Sequence, residues 1–423
     1  MKAFRFILTI FFIALAAQAI GFRLLFILDY ILIGLLIFSL IWAKVSLIWL
    51  NVTRQGLSDR AQVGNQYEEI ITLHNTSFLP KLWLEIFDNS ELPGHRVNCV
   101  QKIGPFGQVS WKISSLCVLR GCFQTGPITI SAGDPFGIFR FKRNFNDARS
   151  LTVYPSTFDI TQFETLSGLL TGGSAVNQAS YHTTPNFNGL REYRPGDSLN
   201  RIHWASSARF NKLVVKEFEF DPIINLQIIL DLQESRHWVI EHNANSGQAQ
   251  VLPASSGVRS IDSTEEYAVT AAATLSRYYL EAGRNLGLIA WGQHHEVIPP
   301  DRGERQLEKI KEALAVIRAK GTTDLGELIA AEINKLRNSN SLILITSSVD
   351  ENWILAIPLL LRKNVKIAVV LVEPATFGAP VENSLYLVGA LAAMDIPVYL
   401  LKRGDEMSQA LNSELARITS KIL

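Results

Sequence analysis

From Gly189 to Phe220 the chain reads GLREYRPGDSLNRIHWASSARFNKLVVKEFEF, and no other stretch mixes charge, aromatic rings and turn residues so densely. Arg191, Arg194, Arg201 and Arg209 offer planar guanidinium forks, which hold carboxylate or phosphate oxygens in pairs or stack on a ring. Tyr193, His203 and Trp204 add rings with polar edges, and Asp197 stands four residues before Arg201. Part of this set has a plain structural use. Pro195-Gly196 signals a turn, Asp197 or Ser198 can cap a short helix through Trp204 and Ala208, and Asp197 with Arg201 has the i,i+4 spacing of an ion pair. The run LVVKEFEF reads as a strand. Arg191, Tyr193, Arg194, His203, Trp204 and Arg209 remain, open to an interdomain clamp, to ligand or partner docking, or to catalysis.

The flanking sequence must position this segment. On its C-terminal side, apolar strand candidates at 223–230, 286–291, 342–346, 365–372 and 397–401 alternate with helical patterns at 265–281, 306–318, 324–336 and 351–362. That alternation predicts a doubly wound α/β domain over residues 222–423, its parallel sheet covered on both faces. Ligands of such sheets gather at the carboxyl ends of strands, which singles out Asp231 and Asp350. The polar insertion at 237–262 reads as a surface loop overhanging the same edge.

On the N-terminal side, residues 53–148 carry short β-prone runs such as EEIITLHN, KLWLEIFD and QVSWKIS, which predict an antiparallel β-sandwich. Residues 149–221 form a connector that contains the dense segment. Asp134-Pro135-Phe136-Gly137 reads as a turn. Residues 4–50 are almost uninterrupted apolar sequence, long enough for two transmembrane helices, read over 6–22 and 30–50. Lys2, Arg5, Lys44 and Arg54 outweigh Arg23 between the spans, so both ends are expected in the cytoplasm and the chain is expected to be a multi-pass protein of the inner (plasma) membrane. Trp42 and Trp49 fit interfacial anchors or core positions equally well.

Composition narrows the remaining classes. A formal net charge of +1, with 48% hydrophobic and 19% charged residues, describes a folded protein with a membrane segment and no general affinity for nucleic acid. Glu192, Asp197 and Glu217, interleaved with the arginines, argue the same locally. Cys99, Cys117 and Cys122 have no metal-ligand spacing and fit a reducing compartment. GCFQTGP has phosphate-loop glycines, but Pro127 stands where the lysine is needed. His294-His295-Glu296 lacks a third ligand at zinc spacing and looks like a hairpin tip. No HExxH, GxSxG or strand-borne GxGxxG occurs, so no reaction or cofactor is indicated.

LREYRPGDSLNRIHWASSAR resembles the signature of the bacterial domain-of-unknown-function 58 family, and RGCFQTGPITISAGDPFGIF resembles that family's preceding pattern. Ala205 departs from it, since a basic residue often follows His-Trp there. The resemblance implies a membrane-tethered cytoplasmic protein ending in a von Willebrand factor A-like domain, working in assembly beside a MoxR-type AAA+ ATPase. It also implies a divalent-ion loop, here Asp231-Leu-Gln233-Glu-Ser235, completed by Thr322 or Thr323 and by Asp350. These hard oxygen ligands suit Mg²⁺, although Gln233 replaces a hydroxyl. The expectation is a membrane-anchored interaction protein without catalysis. Its alternative is a membrane-associated hydrolase in which Asp231, Asp350, His203 and Arg194 converge.

Overall fold

Apolar sequence without strand punctuation folds at the N-terminus into two helices, α1 (Lys2–Ile20) and α2 (Arg23–Ser46). The chain turns between them at Gly21, whose φ of 72° is open to glycine at no steric cost. Both helices are long and apolar enough to cross a membrane. Both start before the spans read from the apolar runs, and Arg23 and Asp29 lie inside α2 and not in a loop. The computed structural model describes residues 2–95, 97–161, 163, 187–194, 199–218, 225–242, 249–256, 258–332, 341–380 and 384–412. They divide into two compact units. One comprises Met1–Thr157 with Arg259–Ile261 and Lys311–Ile317, and the other the remainder.

In the first unit, β1 (Leu50–Gly56), β3 (Gln66–Asn75) and β6 (Gln108–Leu116) form one antiparallel sheet, with β2 (Arg60–Gln62) between β1 and β3 in sequence. β5 (Asn98–Ile103), β4 (Lys81–Asp88), β8 (Ile128–Gly133) and β9 (Arg140–Phe145) form the second. Alternate side chains of each sheet point inward, and Leu50, Ile71 and Leu73 meet Leu84, Ile86, Ile128 and Ile130 in one core. A small third sheet joins β2, β7 (Gly121–Thr125) and β10 (Arg149–Tyr154). The segment read as the start of the connector therefore contributes β10, whose Leu151 and Val153 are buried. Residues 162 and 164–186 of that connector lie outside the described residues. Asp134 makes the expected turn by accepting from Phe136 N (3.0 Å) and Phe139 N (2.6 Å).

The second unit begins with β11 (Phe187–Glu192), α3 (Trp204–Phe210) and β12 (Val214–Phe218); β11 and β12 pair antiparallel. The sheet strands are β13 (Asn225–Asp231), β16 (Asn285–Trp291), β17 (His295–Asp301), β18 (Ser341–Thr346), β19 (Lys366–Val372) and β20 (Val398–Leu401). Their spatial order is β17-β16-β13-β18-β19-β20, parallel except for β17 at the edge. β18 is buried at every residue, which is why the central strands read as continuous apolar runs. Helices α4 (Thr264–Glu281), α5 (Glu304–Val316, of which this unit holds the part up to Ile310), α6 (Leu325–Glu332), α7 (Ile357–Arg362), α8 (Leu385–Ala393) and α9 (Met407–Asn412) complete the alternation. Ser263 caps α4 by accepting from Glu266 N at 3.1 Å.

Two features depart from the sequence reading. β17 carries two prolines, tolerable only at a sheet edge, and Gln306 Nε2 donates 2.8 Å bonds to Leu286 O and Pro299 O beside its irregular pairing. The insertion read as a loop contains a hairpin of β14 (Trp238–His242) and β15 (Ala249–Pro253), held because Val239 and Ile240 are buried.

Candidate functional site

The dense segment is built around the short helix α3. His203 Nδ1 accepts from Ser206 N (3.2 Å) and lies 2.7 Å from Ser206 Oγ, so His203 is the helix N-cap. An accepting Nδ1 places the imidazole proton on Nε2. Ser207 Oγ donates to His203 O (3.0 Å) and accepts from Val214 N (2.9 Å), fastening α3 to β12. Asn211, with φ of 50°, ends the helix in the left-handed conformation that asparagine tolerates. Ser207→Ala is expected to leave the buried Val214 N–H unpaired at a cost of roughly 1–3 kcal/mol. A thermal melt of the detergent-solubilised chain checks this; an unchanged Tm would contradict the fastening role.

The hairpin presents the other residues. Lys212 pairs with Glu192, whose carboxyl is held below its usual range by that hydrogen bond and charge. Arg191 donates to Glu192 O at 3.2 Å, and Tyr193 N bonds Leu213 O at 2.9 Å. Trp204, Arg209 and Phe210 are exposed, as are Arg194 and Ala205. Asp197 and the side chain of Arg201 lie outside the described residues.

A second cluster lies at the carboxyl edge of the sheet. Asp231 ends β13 and is 1% exposed. Its Oδ2 accepts from Thr346 Oγ1 (2.6 Å) at the end of adjacent β18, and its Oδ1 from Gln233 N (3.1 Å). Burial pushes the Asp231 carboxyl up, aided by Asp324, against the opposing pull of His237, Thr346 and Gln233 N. The ring of His237 lies 3.1 Å from Asp231 O, 3.0 Å from Thr264 Oγ1 and 3.3 Å from Ser347 Oγ. Asp350 pairs with Arg236 at 2.7 Å and accepts from Asn352 N at 3.1 Å. Ser235 and Thr322 are exposed beside this cluster. Gly321 leads into the Thr322 loop where an added Cβ would come within 2.3 Å of Trp291 O, so only glycine fits. The ion set Asp231, Ser235, Thr322 and Asp350 therefore meets a site whose carboxylates already hold a hydroxyl, two backbone N–H groups and a guanidinium. The sequence reading left out His237, Thr346 and Arg236; the one local signal was a histidine six residues after a strand-end aspartate.

A third cluster, also absent from the sequence reading, is buried in the sandwich. Arg54 contacts Asp88 at 2.6 Å and Glu69 at 3.4 Å, while His95 Nε2 lies 2.9 Å from Asp88 and 3.5 Å from Glu69. All four side chains are inaccessible to solvent. Burial drives the Glu69 carboxyl up despite Arg54 and His95. Burial acts the same way on Asp88, but His95 and Arg54 together hold it below the usual range. Burial, then Glu69, pushes the Tyr67 phenol up to about 12. Glu69, Asp88 and His95 have metal-ligand separations, yet Arg54 already supplies the cation.

Residues 189–398 match the family described as "Protein of unknown function DUF58". This part of the chain is a DUF58-family domain. It runs from within β11 to the first residue of β20, so the DUF58 domain contains both the signature segment and the Asp231 cluster. Over 222 residues the chain is 22% identical to "Uncharacterized protein YeaD" of Bacillus subtilis (strain 168), covering 52% of this chain and 48% of YeaD. The chain thus spans about half the length of the curated relative it matches. Among solved structures, a CARDB domain from Pyrococcus furiosus is 14% identical, covering 25% of this chain and 86% of its own with a TM-score of 0.19. A PapD-like domain of human CEP192 is 13% identical, covering 24% and 84% with a TM-score of 0.18. At such scores the architecture rests on the strand pairings themselves.

Proposed function

We propose that this chain is a membrane-anchored docking protein whose DUF58 domain recognises another protein through the signature segment. The observation that carries this reading is the pair of aromatic side chains on α3: Trp204 is 66% and Phe210 57% exposed, beside Leu199 and Leu213. Aromatic side chains framed by arginine and lysine are the residue types that dominate binding energy at protein interfaces. His203, which the catalytic alternative would recruit, is used to hold that helix in place.

A von Willebrand factor A-like identity for the sheet is supported by its order, which in sequence terms is 3-2-1-4-5-6 with the third strand antiparallel. The membrane anchor is supported by two apolar helices with little of their surface buried. Lys2, Arg5 and Lys44 favour cytoplasmic ends, whereas Arg54 is spent inside the sandwich. A MoxR-type AAA+ ATPase is the partner we put forward, on the resemblance of the signature. Mg²⁺ at Asp231, Ser235, Thr322 and Asp350 would have to displace Arg236 from Asp350, so added Mg²⁺ is expected to leave the Tm of the full chain unchanged; a rise that Asp231→Ala abolishes would restore the ion site.

The test is co-purification of the MoxR-type ATPase with the full chain from detergent-solubilised membranes. Retention by the wild type and its loss in Trp204→Ala support docking through α3. Equal retention by both counts against it.

A further inference from the structure

Resting on the membrane-anchor reading, we infer that one end of the β-sandwich is itself seated in the lipid interface, through an aromatic side chain on each loop at that end. The strand register defines the end. Leu50 pairs with Asn75, Lys81 with Ile103, His74 with Gln108 and Gly133 with Arg140. The connections 47–49, 76–80, 104–107 and 134–139 therefore all emerge together. Each presents one exposed ring: Trp49 (51%), Phe78 (68%), Phe106 (67%) and Phe136 (56%). At the opposite end, the first loop presents Leu57 and no exposed aromatic side chain occurs among the described residues of 57–65, 89–97, 117–120 and 146–148.

The end that carries the rings is also the end fixed to α2. Lys81 Nζ donates to Val45 O (2.8 Å) and Ile48 O (3.1 Å), and Arg143 donates to Leu47 O (3.0 Å), so carbonyls at and just past the end of α2 are held by the sandwich. No flexible linker separates them. α2 contacts β8 and β9, and its stripe Ser39, Ala43 and Ser46 is buried. Ser39 faces the Asp134 carboxylate in the loop that bears Phe136. At 1.5 Å per residue, that loop reaches about 10 Å back along α2 from Ser46, past Lys44. If α2 crosses a bilayer, the loop lies at headgroup depth or below.

The backbone supports the same assignment. Trp49 and Phe106 have φ of 59° and 51°, a left-handed conformation that bulky residues seldom adopt. Both are held there by the loop of Phe78: Thr76 N donates to Trp49 O and Phe106 N to Ser77 O, each at 2.9 Å. Such strain persists where the surrounding structure over-determines it, at sites with a use. Trp is a usual anchor at headgroup level, and Phe is carried by interfacial segments whose apolar face sits at the boundary between headgroups and acyl chains, which is the occupant that these four fit.

The experiment uses the full chain in phosphatidylcholine–phosphatidylglycerol vesicles, with Cys99 and Cys122 changed to Ser. An environment-sensitive fluorophore is attached in turn at Phe78→Cys, Phe106→Cys, Phe136→Cys, Leu57→Cys and, within α2, Ile37→Cys. Labels at 78, 106 and 136 are expected to be quenched by brominated acyl chains and shielded from aqueous iodide several-fold relative to 57. If they behave like 57 while 37 is quenched by lipid, the anchor stands and the seating is wrong. If they are shielded from both quenchers, protein covers the loops and the seating is equally wrong. If 37 is itself open to iodide, the anchor reading falls as well.

Discussion

Arg54→Ala is expected to destabilise the sandwich by roughly 3–5 kcal/mol, because it leaves two carboxylates buried without their cation. Glu69 and Asp88 face inward from β3 and β4, and neither side chain reaches water. Loss of the guanidinium removes the pairing but not the desolvation. Hydrogen exchange of the β3 and β4 amides in the full chain is the measurement, with greatly accelerated exchange expected and near-native protection contradicting the account. The triple variant adding Glu69→Gln and Asp88→Asn should recover part of the loss.

The pH dependence of this cluster has two opposed parts. The Asp88 carboxyl is depressed, so its stabilisation is present above the ordinary carboxylate value, near 3.9, and is lost as pH falls through the lower folded value. The Glu69 carboxyl is raised, so ionisation costs stability above its folded value, and that cost is relieved as pH falls through it. Removing Arg54 takes away an interaction that favours both ionised forms. The variant should therefore be weakest at neutral pH and regain protection on mild acidification.

Trp353→Ala is expected to cost the second unit roughly 3–5 kcal/mol by opening a cavity in a core that cannot fully collapse. Trp353 is fully buried among Ile229, Leu325, Leu344 and Ile357. It follows the Asp350 loop, and an added Cβ on Gly326 of α6 would lie 3.4 Å from Trp353 Cα. The residue thus braces the edge where Arg236 meets Asp350. Exchange of the β18 and β19 amides should rise sharply in Trp353→Ala and far less in Trp353→Phe. Equal effects from the two would contradict a volume-based cost.

The central sheet was legible because strands buried on both faces carry unbroken apolar runs, as at 342–346 and 366–372. β17 was hidden by Pro299 and Pro300, which argue against a strand unless the edge position is known. β14 and β15 were hidden because the insertion's overall polarity outweighed the short apolar stretch around Val239 and Ile240. The Arg54 cluster left no local trace: Glu69 and Asp88 lie 15 and 34 residues from Arg54 in sequence, and Glu69 reads like one more polar residue in EEIITLHN. In the signature, the concentration of arginine and aromatic residues was plain. The cap of α3 was not legible: the sequence offers Asp197 or Ser198 for that role, whereas His203 fills it by accepting from the backbone N–H of Ser206, a donor that almost any residue there would supply.

Titration of the partner we propose, a MoxR-type ATPase, against the full chain in lipid nanodiscs tests the docking claim most directly. An exposed aromatic at the centre of an interface is worth about 2 kcal/mol or more, so Trp204→Ala should weaken the Kd by roughly 30-fold, while Leu57→Ala leaves it unchanged. An unaltered Kd in Trp204→Ala, or turnover of a small molecule that disappears in Asp231→Ala, would contradict the account.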